Sequence, residues 1–362
     1  MNIRYYLIIP LTILFVLIVC SCSIHGDKYK KIFNRGKESQ FNQNNISIDQ
    51  PVYSLDDKYI LFSARLNGKS SIYRINSDGS NLTKLTGPFG YDDDNPISLP
   101  NHKVLFSSYE THGACADFCI IDIDGKNFRR ITNHGNGGSW KAYSSLTNTI
   151  YFVTSCDMGN NSTDKDIYDI WAIDLNGMNR CRITSLKDFF MRSLSISNHG
   201  KKLLFQRQSF MNNPREDSLW LLDLDTRELR PIKPNIHGYL SNYSALKIRN
   251  KEPWENSFGN MDSPQLSPSG NQVLFVWPGH YQGYFGHEIY LMDLKSSSTK
   301  KLTDLKGFIA NPSFSHDGKK IVFSLANRYT NNRPESFDLW KINTDGTQLE
   351  RIDITFGNGV TH

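Results

Sequence analysis

The feature that most constrains this chain is a repeat. Six times an apolar strand that follows a turn ends in phenylalanine: Leu61-Phe62, Leu105-Phe106, Tyr151-Phe152, Leu204-Phe205, Leu274-Phe275 and Val322-Phe323. Successive phenylalanines stand 44, 46, 53, 70 and 48 residues apart, the period of a four-stranded unit with loops of uneven length. A second alternating strand follows each copy and carries an aromatic: Tyr73, Phe118, Trp171, Trp220, Tyr290 and Trp340. Four copies then turn at Asp78-Gly79, Asp124-Gly125, Asn176-Gly177 and Asp345-Gly346. Such dipeptides supply the positive φ angles of a tight hairpin. Six residues after each glycine comes a short outer strand at Leu85-Thr86, Ile131-Thr132, Ile183-Thr184 or Ile352-Asp353. Copies four and five turn instead at Asp225-Thr226 and Lys295-Ser296.

Short strands of period 2 joined by hairpin turns describe an all-β chain. A lone four-stranded sheet cannot bury both faces, whereas six stacked radially cover the faces and leave only short edges. The expected fold is therefore a six-bladed β-propeller of four-stranded antiparallel blades, one domain over residues 47–362. The first copy has its own innermost strand near Asp49-Gln50-Pro51 and the last ends on its own outer strand. Each blade is then contiguous, and the ring is expected to close by packing. The six phenylalanines should be buried equivalents between blades.

The run from Pro312 to Phe323, with Leu339-Trp340 and Asp345-Gly346 after it, resembles the TolB-type propeller repeat (the PD40 or WD40-like repeat), and Pro264 to Phe275 is close to it. The resemblance covers roughly residues 49–355. It implies the propeller fold and leaves function open, because this repeat serves periplasmic scaffolds, peptidase propellers and oligogalacturonate lyases alike. TolB carries an additional N-terminal α/β domain, for which the short segment ahead of this propeller has no room.

Ahead of the repeats, Met1-Asn2-Ile3-Arg4 is followed by an apolar run from Tyr5 to Val19 and then Val19-Cys20-Ser21-Cys22. The run suits the apolar region of a secretory signal and is short for a membrane span. The last four residues resemble a bacterial lipobox, so residues 1–21 are expected to be cleaved and Cys22 lipidated. Cys20 is the weaker candidate, since Val19 would precede its cut. An uncleaved anchor is the other reading, and both place the remainder outside the cytoplasm. Ser23 resembles a permissive outer-membrane sorting residue, which points to a lipid-anchored protein facing the periplasm. Residues 22–46, polar and lysine-rich, read as a tether. The formal net charge of +5 over 362 residues makes no case for nucleic acid. Cys115, Cys119, Cys156 and Cys181 remain for an oxidising compartment, where four cysteines allow three pairings.

Loops on a rigid scaffold carry function. The connections after each phenylalanine and after each outer strand are the long ones, and all leave one face of the ring. The richest, from Trp277 to His287, holds His280, Tyr281 and Tyr284. Together with Trp254 in the insertion 237–261, these residues are the expected binding set, partly exposed around the channel mouth. A protein or an envelope polymer such as peptidoglycan is the expected partner, with no cofactor. Tyr91 to Asn95 reads as an acidic loop lacking the spacing of a calcium site. The alternative is a lyase in which His112, His134, His237, His280 and His287 share a divalent metal, although no pair has the local spacing of a metal site. No Gly-x-Ser-x-Gly elbow is present, which argues against a serine peptidase.

Overall fold

The computed structural model describes residues 46–356 apart from 67, 88–90, 110–115, 134–136, 139, 155–167, 189, 209–217, 233, 235–261, 282–283 and 331–332. The described strands form six antiparallel four-stranded sheets, and each sheet takes its strands consecutively from the chain. The six blades span residues 47–84, 92–130, 140–182, 190–232, 262–301 and 309–352. The expected propeller is present, with no strand shared between its ends.

Six apolar clusters occupy the six seams between neighbouring blades, and the apolar-Phe dipeptides build them. Phe62, Phe106, Phe152, Phe205, Phe275 and Phe323 are all 0% exposed. Side chains alternate along a strand, so each dipeptide serves two seams. Phe106 packs with Leu61, Ile72 and Leu85 of blade 1, whereas its neighbour Leu105 packs with Ile150 and Phe152 of blade 3. The same division holds for Tyr151-Phe152, Leu204-Phe205 and Leu274-Phe275. It closes the ring as well: Val322 joins the cluster of Phe62 and Tyr73, while Phe323 packs with Leu274 and Ile289.

The Asp-Gly and Asn-Gly turns have a second duty beyond hairpin geometry. Each rests on the outer strand of the preceding blade. A Cβ on Gly177 would stand 2.0 Å from the Ile131 carbonyl oxygen, one on Gly125 would stand 3.4 Å from the Leu85 carbonyl, and one on Gly79 would meet the Ile352 side chain at 3.2 Å. All three glycines have positive φ. Gly177→Ala is therefore expected to destabilise the protein by more than about 1 kcal/mol, through backbone strain plus a backbone clash. Gly68→Ala, equally strained at φ +80 but in open space, should cost less. Thermal melting of the two variants side by side checks this, and equal losses would refute the contact with Ile131.

The threonine of the outer-strand pair also has a structural reason. Thr132, Thr184 and Thr303 accept the backbone N–H of Phe118, Ile170 and Ile289 at 2.8–2.9 Å. Each donates its hydroxyl to the acidic residue just before, Asp117, Asp169 or Glu288. A basic residue on the outer strand pairs with the acid at this position in four blades, Arg130–Asp117, Arg182–Asp169, Lys301–Glu288 and Arg351–Asp338, the last in a blade without the threonine. At the junction of the last and first blades, the Asp57 carboxylate accepts the backbone N–H groups of His316 and Asp317, and Lys341 donates to the Ser77 carbonyl at 2.9 Å.

Two blades depart from the compact pattern. In blade 5 the strands Gln272–Tyr281 and Tyr284–Asp293 pair as far as Tyr281↔Tyr284, and in blade 6 Lys320–Thr330 and Arg333–Asn343 pair as far as Thr330↔Arg333. Both hairpins rise on the face of the long connections.

Candidate functional site

The six innermost strands surround a central channel with a cavity of about 250 Å³. In five of them the ladder slips at the same place. Register shifts fall between Asp49 and Val52, Asp94 and Ile97, Arg192 and Leu194, Asp262 and Gln265, and Ala310 and Ser313. Each slip holds one residue in the left-handed region: Gln50 (φ 52°), Asn95 (53°), Ser193 (55°), Ser263 (48°) and Asn311 (49°). In four blades the next residue is proline, which disfavours the right-handed helical region for the residue before it. A bulge re-aims the side chain it carries, and all five residues line the channel.

Four of the five bulged residues are wired to neighbouring blades, whereas the Ser193 hydroxyl bonds Gln206 within blade 4. Ser263 of blade 5 donates to Asn311 Oδ1 of blade 6 at 3.1 Å, and Asn311 Nδ2 donates to Asp49 of blade 1. Gln50 Oε1 accepts the Asn95 N–H of blade 2 at 2.6 Å and the Ser63 hydroxyl at 3.3 Å. Blade 3 lacks the bulge, its inner strand Trp140–Ser144 pairing without a shift. Lys141 stands there instead, 4% exposed, and its Nζ donates to the Asn95 carbonyl at 2.6 Å and to Ser107 Oγ at 2.7 Å. The belt thus runs unbroken from blade 5 through blades 6, 1 and 2 to blade 3. Burial lowers the affinity of Lys141 for its proton and raises that of the Asp94 carboxyl, while the attraction between the two opposes both shifts.

The expected binding residues fare differently. Trp277 is a correction: it is only 8% exposed and meets Phe275 edge-on at 6.3 Å in the seam between blades 4 and 5. It follows Phe275 by two positions on one strand, so alternation turns both to the same seam. The stretch from Trp277 to His287 is not a loop but the continuation of the blade 5 hairpin, with His280 opposite Phe285 and Tyr281 opposite Tyr284. The side chains of His280, Tyr281 and Tyr284 lie outside the described residues, as does Trp254 altogether. His287 is half-buried; its ring lies 4.2 Å from that of Phe308, and its backbone N–H bonds the Gly307 carbonyl at 2.7 Å. It fastens the blade 5 hairpin to the start of blade 6. His112, His134 and His237 lie outside the described residues.

The acidic stretch is also corrected. Asp92–Leu99 is the inner strand of blade 2, not a loop. Asp92 accepts the Ser70 N–H at 2.9 Å, and buried Asp93 accepts the Ser108 hydroxyl at 2.7 Å. Of the cysteines, Cys119 is buried and Cys181 exposed, both as free thiols; burial pushes the Cys119 thiol up to about 12. Cys115 and Cys156 lie outside the described residues.

The channel residues are not among those the loops single out. Their signal was available: Gln50, Asn95, Ser263 and Asn311 each precede a proline near the start of an inner strand. Trp140 and Lys141 had no such mark.

Fold and channel together define a six-bladed β-propeller of four-stranded blades around a central channel. No family model matches the chain. It is 25% identical over 309 residues to the tricorn protease homolog of Saccharolobus solfataricus, covering 78% of this chain and 26% of that protein. It is 24% identical over 255 residues to the putative tricorn-like protease C-terminal subunit of Sulfurisphaera tokodaii, covering 64% and 26%. The chain thus spans about a quarter of the length of these relatives. Among solved structures, TolB from Acinetobacter baumannii superposes with a TM-score of 0.54 at 16% identity, over 83% of this chain and 61% of that one. An oligogalacturonate lyase in complex with manganese superposes with a TM-score of 0.52 at 13% identity, over 85% and 78%. At these identities the likeness concerns the fold.

Proposed function

We propose that this chain is an exported lipoprotein, anchored in the cell envelope through Cys22, whose propeller binds an envelope partner at the central channel. The observation that carries the binding reading is the ring of five left-handed bulges. Non-glycine residues held at positive φ cost of order 1–3 kcal/mol each and gather where a site is pre-organised. Here the five converge on one channel, and four of them are held in place by bonds from blade to blade. The structural likeness to TolB is compatible with a scaffold role and supplies no catalytic group.

Two experiments test the two halves. Placing a photo-crosslinking amino acid at Gln50 or Asn311 should give adducts in envelope preparations, whereas the same group at Lys295, on an exposed outer turn, should give none. Equal labelling from both places would remove the channel mouth as the site. For the anchor, Cys22→Ala is expected to shift the protein from the detergent phase to the aqueous phase or to block its processing. A Cys22→Ala protein that matures and partitions as before would overturn lipidation there.

A further inference from the structure

We infer that the channel mouth is a subsite for a neutral sugar bearing hydroxyl or acetamide groups, presented end-on by a glycan. This rests on the channel being the binding site and goes on to name the ligand class.

Charge is the first argument. The residues around the cavity include no aspartate, glutamate or arginine, and the bases among them are Lys141 and His316. The Lys141 ammonium is engaged by the Asn95 carbonyl and Ser107. The exposed carboxylate of Asp49 stands behind Asn311 and Gln50, accepting from the Asn311 amide and from the Gln50 N–H. A polyuronate seated here would bring its carboxylates toward the Asp49 carboxylate behind Gln50 and Asn311, with the Lys141 ammonium already engaged, and burying an unpaired charge is costly.

Hydrogen-bonding chemistry is the second. Gln50 Oε1 accepts the Asn95 N–H at 2.6 Å and shares the Ser63 hydroxyl with the Asp49 carbonyl, which fixes the amide and leaves the two Nε2 hydrogens without a partner among the described residues. An amide held in that way offers paired donors to hydroxyl or acetamide oxygens. Half-buried Trp140, packed against the seam between blades 3 and 4, also lines this cavity, and an aromatic ring is a surface against which the apolar face of a pyranose packs. An extended peptide is the poorer fit. It pairs along a strand edge and asks for side-chain pockets in a line, whereas these groups form a ring about an axis.

Titration calorimetry of the intact protein with an N-acetylglucosamine tetramer, a galacturonate tetramer and an uncharged tetrapeptide decides the matter. The N-acetylglucosamine tetramer should bind, and the galacturonate tetramer about tenfold more weakly or not at all. Gln50→Ala and Trp140→Ala should each weaken the neutral sugar by about tenfold, the scale of one lost hydrogen bond to a constrained group or one lost ring contact. Melting curves establish that each variant is folded, and Lys295→Ala should bind unchanged. Equal or tighter binding of galacturonate, preference for the peptide, or unchanged affinity in folded Gln50→Ala would overturn the inference. If Gln50 and Asn311 crosslink to a protein while no sugar binds, the channel mouth stands as a binding site and the sugar assignment falls alone.

Discussion

Truncating Phe323 to alanine is expected to lower the unfolding free energy by about 3–5 kcal/mol, the usual cost of deleting a fully buried phenylalanine. The ring cannot be replaced by solvent or by a shifting neighbour. Phe323 is 0% exposed and held between Leu274, Val276 and Ile289 of blade 5 and Ile321 and Ile342 of blade 6. Both walls are sheets, which relax less readily than loops, so most of the vacated volume should persist as a cavity. The same loss is expected for Phe62, Phe106, Phe152, Phe205 and Phe275, each filling the corresponding seam. Leu146→Ala provides the comparison. That side chain is apolar too but 66% exposed, and its loss should change stability by no more than about 0.5 kcal/mol. Denaturant unfolding of these variants measures the differences. A Phe323→Ala protein as stable as Leu146→Ala would mean that the seams are not where the stability lies.

Removing the Lys141 ammonium should cost a similar amount and should also change the response to pH. Lys141→Met keeps the length of the side chain but leaves the Asn95 carbonyl and Ser107 without their donor and deprives the buried Asp94 carboxyl of its favourable charge. Leaving a buried acceptor without its donor costs about 1–3 kcal/mol, and two acceptors lose theirs here. Burial already raises the Asp94 pKa, and loss of the cation raises it further. A carboxyl whose folded pKa exceeds its unfolded value binds the extra proton in the folded state, so stability falls as pH rises through that window. The deficit of Lys141→Met should therefore grow as pH climbs from about 4 through the raised pKa of Asp94, and shrink on acidification. Adding Asp94→Asn should flatten that dependence. If Lys141→Met shows the wild-type pH profile, the lysine is not the counter-charge of Asp94.

Why some of this was legible in the sequence and some was not follows from range. Strand and turn positions depend on local rules: period-2 alternation put Leu61 and Phe62 on opposite faces, and Gly79, Gly125 and Gly177 mark hairpins because other residues tolerate their φ angles poorly. Six copies of such local signals, in phase, leave few architectures other than a closed ring of sheets. Alternation gives Trp277 the facing of Phe275, and it is buried with it; the aromatic and glycine content of the stretch after it has the composition of a loop, yet the stretch continues the ladder to Tyr281. Tyr91 to Asn95 has the composition of a loop for a related reason. A run of carboxylates looks solvated until its partners, Ser70 and Ser108, arrive from neighbouring strands.

The sequence by itself determined the blades, their number and order, and the six buried phenylalanines, because each follows from contacts within one repeat multiplied by six. Only the tertiary structure decided that Gly177 must also clear the Ile131 carbonyl of the blade before it, that Lys141 replaces a bulge to reach Asn95, and that Gln50, Asn95, Ser193, Ser263 and Asn311 face one channel. Those relations join residues that are tens to hundreds of positions apart. No local propensity encodes them; they exist only once the ring has closed and its first blade meets its last.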